Sequence, residues 1–105
     1  MRKKIFTTNL NQRDHRKFSN LYSGEPKIKE ELFLKAFSQF KQKYGKSMHY
    51  QLQHAEIERV YSKYLKFVLF DDIPDQIESL ADKFEVSRSA LIREIICEYL
   101  MSLKN

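Results

Sequence analysis

Turn-forming residues are scarce in this chain. Two glycines and two prolines in 105 residues leave little turn chemistry and few loops, which favours helix. A single cysteine, Cys97, excludes a disulfide framework within the chain and fits a reducing compartment. No segment approaches the ~20 consecutive apolar residues that span a bilayer, so no membrane partner is expected. The N-terminus is basic but has no long apolar run behind it, unlike a signal peptide. These absences together imply a cytoplasmic protein. No glycine-rich phosphate loop and no nucleophile–base pairing is visible. His15, His49 and His54 have no partners at ligand spacing: the last two are five residues apart and do not share a helix face. The expectation is therefore a non-enzymatic protein with no catalytic residue, no metal site and no cofactor.

What is present describes a small globular domain. Apolar residues make up 42% of the chain and charged residues 31%, enough for one core. The net charge of +5 is unevenly placed. Residues 1–64 carry 14 Lys/Arg against 6 Asp/Glu, a net +8; residues 65–105 carry 5 against 8, a net −3. A basic first half suits a polyanion such as nucleic acid, or serves as a solubilising face.

Residues 3–10 alternate and include β-branched threonines, which favour strand. Asn11 is placed to cap a helix over 12–22, with a thin stripe of Phe18, Leu21 and Tyr22. The "SGEP" of residues 23–26 breaks the chain. Phe33, Phe37, Phe40 and Tyr44, joined by Leu32 and Ala36, predict a strong helix over about 27–44. Gly45 fits its C-terminal cap. Ile57, Val60, Tyr61, Tyr64 and Leu65 at spacings of three and four predict a linking helix over 47–64. The apolar run Phe67–Phe70 can continue that helix or form a strand. Pro74 then suits the first turn of a helix containing Ile77, Leu80, Ala81 and Phe84. Ser87 is placed to cap a last helix, in which Leu91, Ile95, Tyr99 and Leu103 interleave with Ile92, Ile96 and Leu100. This stripe is too wide to face water, so another helix or subunit must cover it. Arg93, Glu94 and Glu98 form its polar strip, and Cys97 is a small core residue.

The run "FVLFDDIPDQIESLADKFEVSRSALIREIICEYL" resembles the ribbon-helix-helix family of DNA-binding proteins, the Arc/MetJ/CopG group. The matching parts are an apolar strand, the helix opened by "IPDQI", the "EVSRS" turn and the helix "ALIREIICEYL". They cover residues 66–103, about a third of the chain. Helix-turn-helix domains share "LADKFEVSRS"-like patterns, but their recognition helix must present polar side chains to bases, and this last helix is apolar. The resemblance implies a mainly α fold with a short antiparallel β-ribbon formed by two copies. The ribbon would enter a major groove, and Ser87, Arg88 and Ser89 at the start of the last helix would hold a phosphate.

Counting by two from Ile73 turns Phe67, Leu69 and Asp71 inward, uncomfortably for the aspartate unless the strand ends first. It turns Lys66, Val68, Phe70 and Asp72 outward, a poor reading face on its own because the aspartate repels phosphates. An internal match supplies a better one. Leu10 can be laid on Ile73, Leu21 on Phe84, and Phe33 and Phe37 on Leu91 and Ile95, with spacings that differ at the turn. Residues 1–46 would then be a basic, degenerate first copy, 47–64 a linking helix and 65–105 the second copy. Arg2, Lys3, Thr7 and Asn9, with Lys66, would face DNA. The open alternative is a C-terminal unit that pairs between two chains as a homodimer. The function expected is sequence-specific binding of double-stranded DNA by a transcriptional repressor or a plasmid or phage maintenance factor. The other reading is a protein-interaction module or antitoxin on the same scaffold, which would hold a protein partner through Val68 and Phe70.

Overall fold

The computed structural model describes residues 3–22, 26–53 and 63–103. They form a mainly α structure with one two-stranded sheet, in the order β1 (Lys3–Leu10), α1 (Gln12–Tyr22), α2 (Pro26–Tyr44), β2 (Lys63–Phe70), α3 (Ile73–Phe84) and α4 (Arg88–Ser102). A strand-helix-helix unit therefore occurs twice. The two strands pair antiparallel along their full length, from Lys3 opposite Phe70 to Leu10 opposite Lys63. This decides the question left open at residues 67–70: they are strand, and their partner lies in the same chain.

Alternation sets the two faces of the ribbon. Phe6, Thr8 and Leu10 of β1 and Leu65, Phe67 and Leu69 of β2 are buried. Phe6 and Phe67 face each other across the strands. Beneath them Phe67 meets the Phe33 ring, with centroids 4.6 Å apart, and the edge of Phe18 at 6.1 Å.

The helices start and stop where local chemistry allows. Asn11 caps α1: its Oδ1 accepts the Asp14 N–H at 2.8 Å, satisfying one of the free first-turn donors. Ser87 caps α4 in the same way, accepting from the Ala90 N–H at 3.1 Å. At the end of α2, Gly45 donates its N–H to the Lys41 carbonyl at 2.8 Å. A Cβ on Gly45 would sit 2.4 Å from that oxygen, so only glycine fits. Helix α3 ends in a left-handed residue, Glu85 (φ 57°). The Val86 N–H reaches back to the Ala81 carbonyl and the Glu85 N–H to that of Asp82, the double closure of a Schellman motif. Asp71 (φ 61°) is the other left-handed residue. It ends β2 immediately after Phe70 and is itself exposed, which removes the burial problem that strict alternation would create.

The two halves interlock. Helix α4 packs on β1, α2 packs on β2, and α2 and α4 pack on each other. The second helix of each half thus lies against the strand of the other half, and one core serves both. Helix α4 is buried nearly all round, through Leu91, Ile92, Glu94, Ile95, Ile96, Cys97, Tyr99 and Leu100.

Three expectations change. The linking helix over 47–64 does not form in its described parts: residues 47–53 are irregular and Lys63 and Tyr64 already belong to β2. The rest of that span, with His54, Ile57, Val60 and Tyr61, lies outside the described residues. The physical reason is Glu94, only 1% exposed in the middle of α4. Its Oε1 accepts the Tyr50 hydroxyl at 2.6 Å and the Gln53 N–H at 2.8 Å, so residues 50–53 are held against α4 instead of coiling. Tyr50 also packs its ring on Phe40, Tyr44 and Phe84. Glu94 is therefore a buried anchor and not part of a solvent-facing strip. Finally, Leu21 is 42% exposed, unlike the buried Phe84 on which it was laid; the core side of α1 is filled by the buried Phe18 with the partly buried Tyr22 against it. Among the described residues, no helix is long and apolar enough to cross a membrane.

Opposite stability changes are expected at two turns. Glu85→Gly removes the left-handed penalty of a side chain, worth about 1 kcal/mol, and should raise the urea unfolding midpoint. Gly45→Ala should lower it.

Candidate nucleic-acid interface

The uncovered face of the ribbon collects the outward residues of both strands. Its cross-strand pairs are Lys3–Phe70, Ile5–Val68, Thr7–Lys66 and Asn9–Tyr64. All are exposed except the half-buried Val68; Ile5 is 53%, Tyr64 61% and Phe70 43% exposed. The two strands contain four lysines and no carboxylate.

Helix side chains hold the ribbon's outer edges. The Val68 N–H donates to Glu30 Oε2 at 3.0 Å, and Arg93 Nε donates to the Asn9 carbonyl at 3.0 Å. These backbone groups point away from the partner strand. The outward pairs are therefore the non-hydrogen-bonded kind, whose side chains stand closest together. The bonds also occupy edge positions that would otherwise invite another strand.

The start of α4 differs from the phosphate clamp that the resemblance implied. Ser87 Oγ is engaged as the helix cap. Ser89 faces inward: Thr8 Oγ1 donates to its carbonyl at 2.7 Å, and its own hydroxyl donates to Thr8 Oγ1 at 3.2 Å. These bonds satisfy the buried Thr8 and pin α4 to β1. Arg88 is half exposed and donates to Glu78 Oε2 at 2.8 Å, with its guanidinium 6.0 Å from the Phe6 ring centroid. Lys4 pairs with the same carboxylate oxygen. The hydrogen bond from Lys4, aided by the charge of Arg88, holds the Glu78 carboxyl below its ordinary range. At neutral pH, Glu78 is thus a charged tether between two cations. Together they rim a polar groove of about 660 Å³ beside the α4 N-terminus.

Lys3, Thr7, Asn9 and Lys66 thus come together on one exposed face. Arg88 lies in a separate cluster beside it, Ser89 is turned into the body, and Arg2 lies outside the described residues. Lys4 and Glu78 were missed at the sequence level; the signal available was Glu78 and Arg88, brought close by the turn between two short helices. His15, at the Lys63 end, is held below its usual pKa by partial burial and by the Lys63 charge. Cys97 is buried, its thiol donates to Asp14 Oδ2 at 3.6 Å, and burial pushes its pKa up. Among the described residues no three His, Cys, Asp or Glu side chains gather as a metal site. No protein-family model, curated protein or solved structure matches this chain.

Glu78→Gln removes the carboxylate charge that occupies Lys4 and Arg88. The variant should elute from a heparin column at higher salt than the parent, and Lys4→Gln at lower salt.

Proposed function

We propose that this protein binds double-stranded DNA sequence-specifically, as a tandem ribbon-helix-helix protein that completes its ribbon within one chain. The kind of role this supports is a transcriptional repressor or a plasmid or phage maintenance factor. The observation that carries the reading is the exposed ribbon face, where Thr7, Asn9 and Lys66 adjoin on a carboxylate-free sheet. A two-stranded ribbon fits the width of a B-DNA major groove. Asn suits the paired donor and acceptor of adenine, Lys suits guanine, and Thr serves either. Lys3 and Lys63, both exposed, would add phosphate contacts. Four helices beneath the ribbon supply the rigidity that such a reading face needs.

A second reading has an observation of its own. Ile5, Val68 and Phe70 make an apolar end of the same face, which suits a protein partner, as in an antitoxin or an interaction module. Substitution separates the two. Under the DNA reading, Thr7→Ala and Lys66→Ala weaken duplex binding and Phe70→Ala alone does not abolish it.

Fluorescence anisotropy against duplexes selected from genomic fragments tests the proposal. Binding should be submicromolar at low salt and fall linearly on a log–log plot against salt. Lys63→Ala should flatten that slope by about one. A flat titration at low salt would refute DNA binding.

A further inference from the structure

The reading face is chemically split along its length. At one end stand Thr7–Lys66 and Asn9–Tyr64, with Lys63 just beyond; at the other stand Ile5–Val68 and Lys3–Phe70, followed by the exposed Asp71 and Asp72. In a ribbon made by two identical chains every outward residue occurs twice, and both ends are alike by symmetry. Here the strands come from different halves of one chain and share almost no outward residue type. We infer that the protein recognises a directional, non-palindromic duplex site. Its Asn9–Lys66 end reads hydrogen-bonding purine edges, and its Ile5–Phe70 end reads thymine methyl groups. This inference rests on the DNA reading above.

Dimensions and chemistry support the division. Successive outward residues are about 6.8 Å apart along a strand. Four pairs therefore span about 20 Å, or roughly six base pairs at ~3.4 Å each, so each end faces about three. At the first end Asn9, Thr7 and Lys66 offer the donors and acceptors that base edges demand, and Tyr64 adds a hydroxyl. At the second end Ile5, Val68 and Phe70 can offer bases no hydrogen bond. The only apolar group that a base pair exposes in the major groove is the thymine C5 methyl. A base without that methyl would present only its polar edge to Ile5 or Phe70, with no apolar group for them to cover, which disfavours it. Charge adds a second asymmetry: Lys63 and Lys66 attract phosphates at the polar end, whereas Asp71 and Asp72 repel them at the apolar end, where Lys3 faces outward and Lys4 is paired with Glu78.

The test is selection by the full chain from a randomised duplex library. Affinity is then measured on the selected site with each thymine replaced by uracil, which deletes only the methyl group. The expected motif is non-palindromic, with thymines clustered at one end. Removing each of those methyls should weaken binding roughly threefold to fivefold, on the scale of one buried methyl. Ile5→Ala and Phe70→Ala, both surface changes checked by circular dichroism, should erase that sensitivity. Asn9→Ala should relax preference at the opposite end only. A palindromic motif, or uracil substitution without effect, would overturn the inference and leave DNA binding standing. If no duplex is enriched, the DNA reading itself fails.

Discussion

Antiparallel pairing of Lys3–Leu10 with Lys63–Phe70 joins segments separated by some sixty positions, and the other contacts are arranged around that closure. A two-stranded ribbon is marginal by itself in water, and a loop of this length adds an entropic cost. The helices offset both. Phe33 and Phe18 pack beneath Phe67, and each second helix crosses to the strand of the other half. Neither strand-helix-helix unit buries its own apolar face. The ribbon is stable only if both halves are folded, and its outer face is free because its inner face is filled.

A small set of buried or half-buried polar bonds gives this apolar packing a unique register. Thr8 and Ser89 fix where α4 begins relative to β1. Glu30 and Arg93 bind the two outer edges, each from the half that does not own the strand. Glu94 holds Tyr50 and the Gln53 N–H against α4. Burying a carboxylate is expensive unless its oxygens are satisfied, so Glu94 specifies the path of the chain after α2. A one-residue slip of β1 would turn Phe6 outward and break the Thr8–Ser89 pair, and one of β2 would turn Phe67 outward. The consequence for function is a rigid ribbon whose outward residues have fixed neighbours.

Much of the fold was legible because its signals are local. Alternation in "KKIFTTNL", the Asn11 and Ser87 caps, the phenylalanine spacing of α2 and Pro74 each act within a turn or two of helix or strand. The internal match of Phe33 and Phe37 with Leu91 and Ile95 also reflects shared burial. The segment after Gly45 was not legible, since the residue that shapes it, Glu94, lies over forty positions away. The roles of Ser89 and Lys4 were hidden for the same reason: Thr8 and Glu78 meet them only in the folded chain. Of the face proposed to read DNA, Lys3, Thr7, Asn9 and Lys66 followed from period two. Their adjacency followed only from the pairing register.

The face is thus a product of one chain folding on itself, with its chemistry drawn unequally from the two halves. The most direct test is an amide chemical-shift titration of the labelled protein with short duplex DNA selected for binding. The account predicts shifts concentrated at Lys3, Ile5, Thr7, Asn9, Tyr64, Lys66 and Phe70, with Leu21 and Leu103 on the helical side unmoved. Shifts confined to the helices, or none along the two strands, would contradict it.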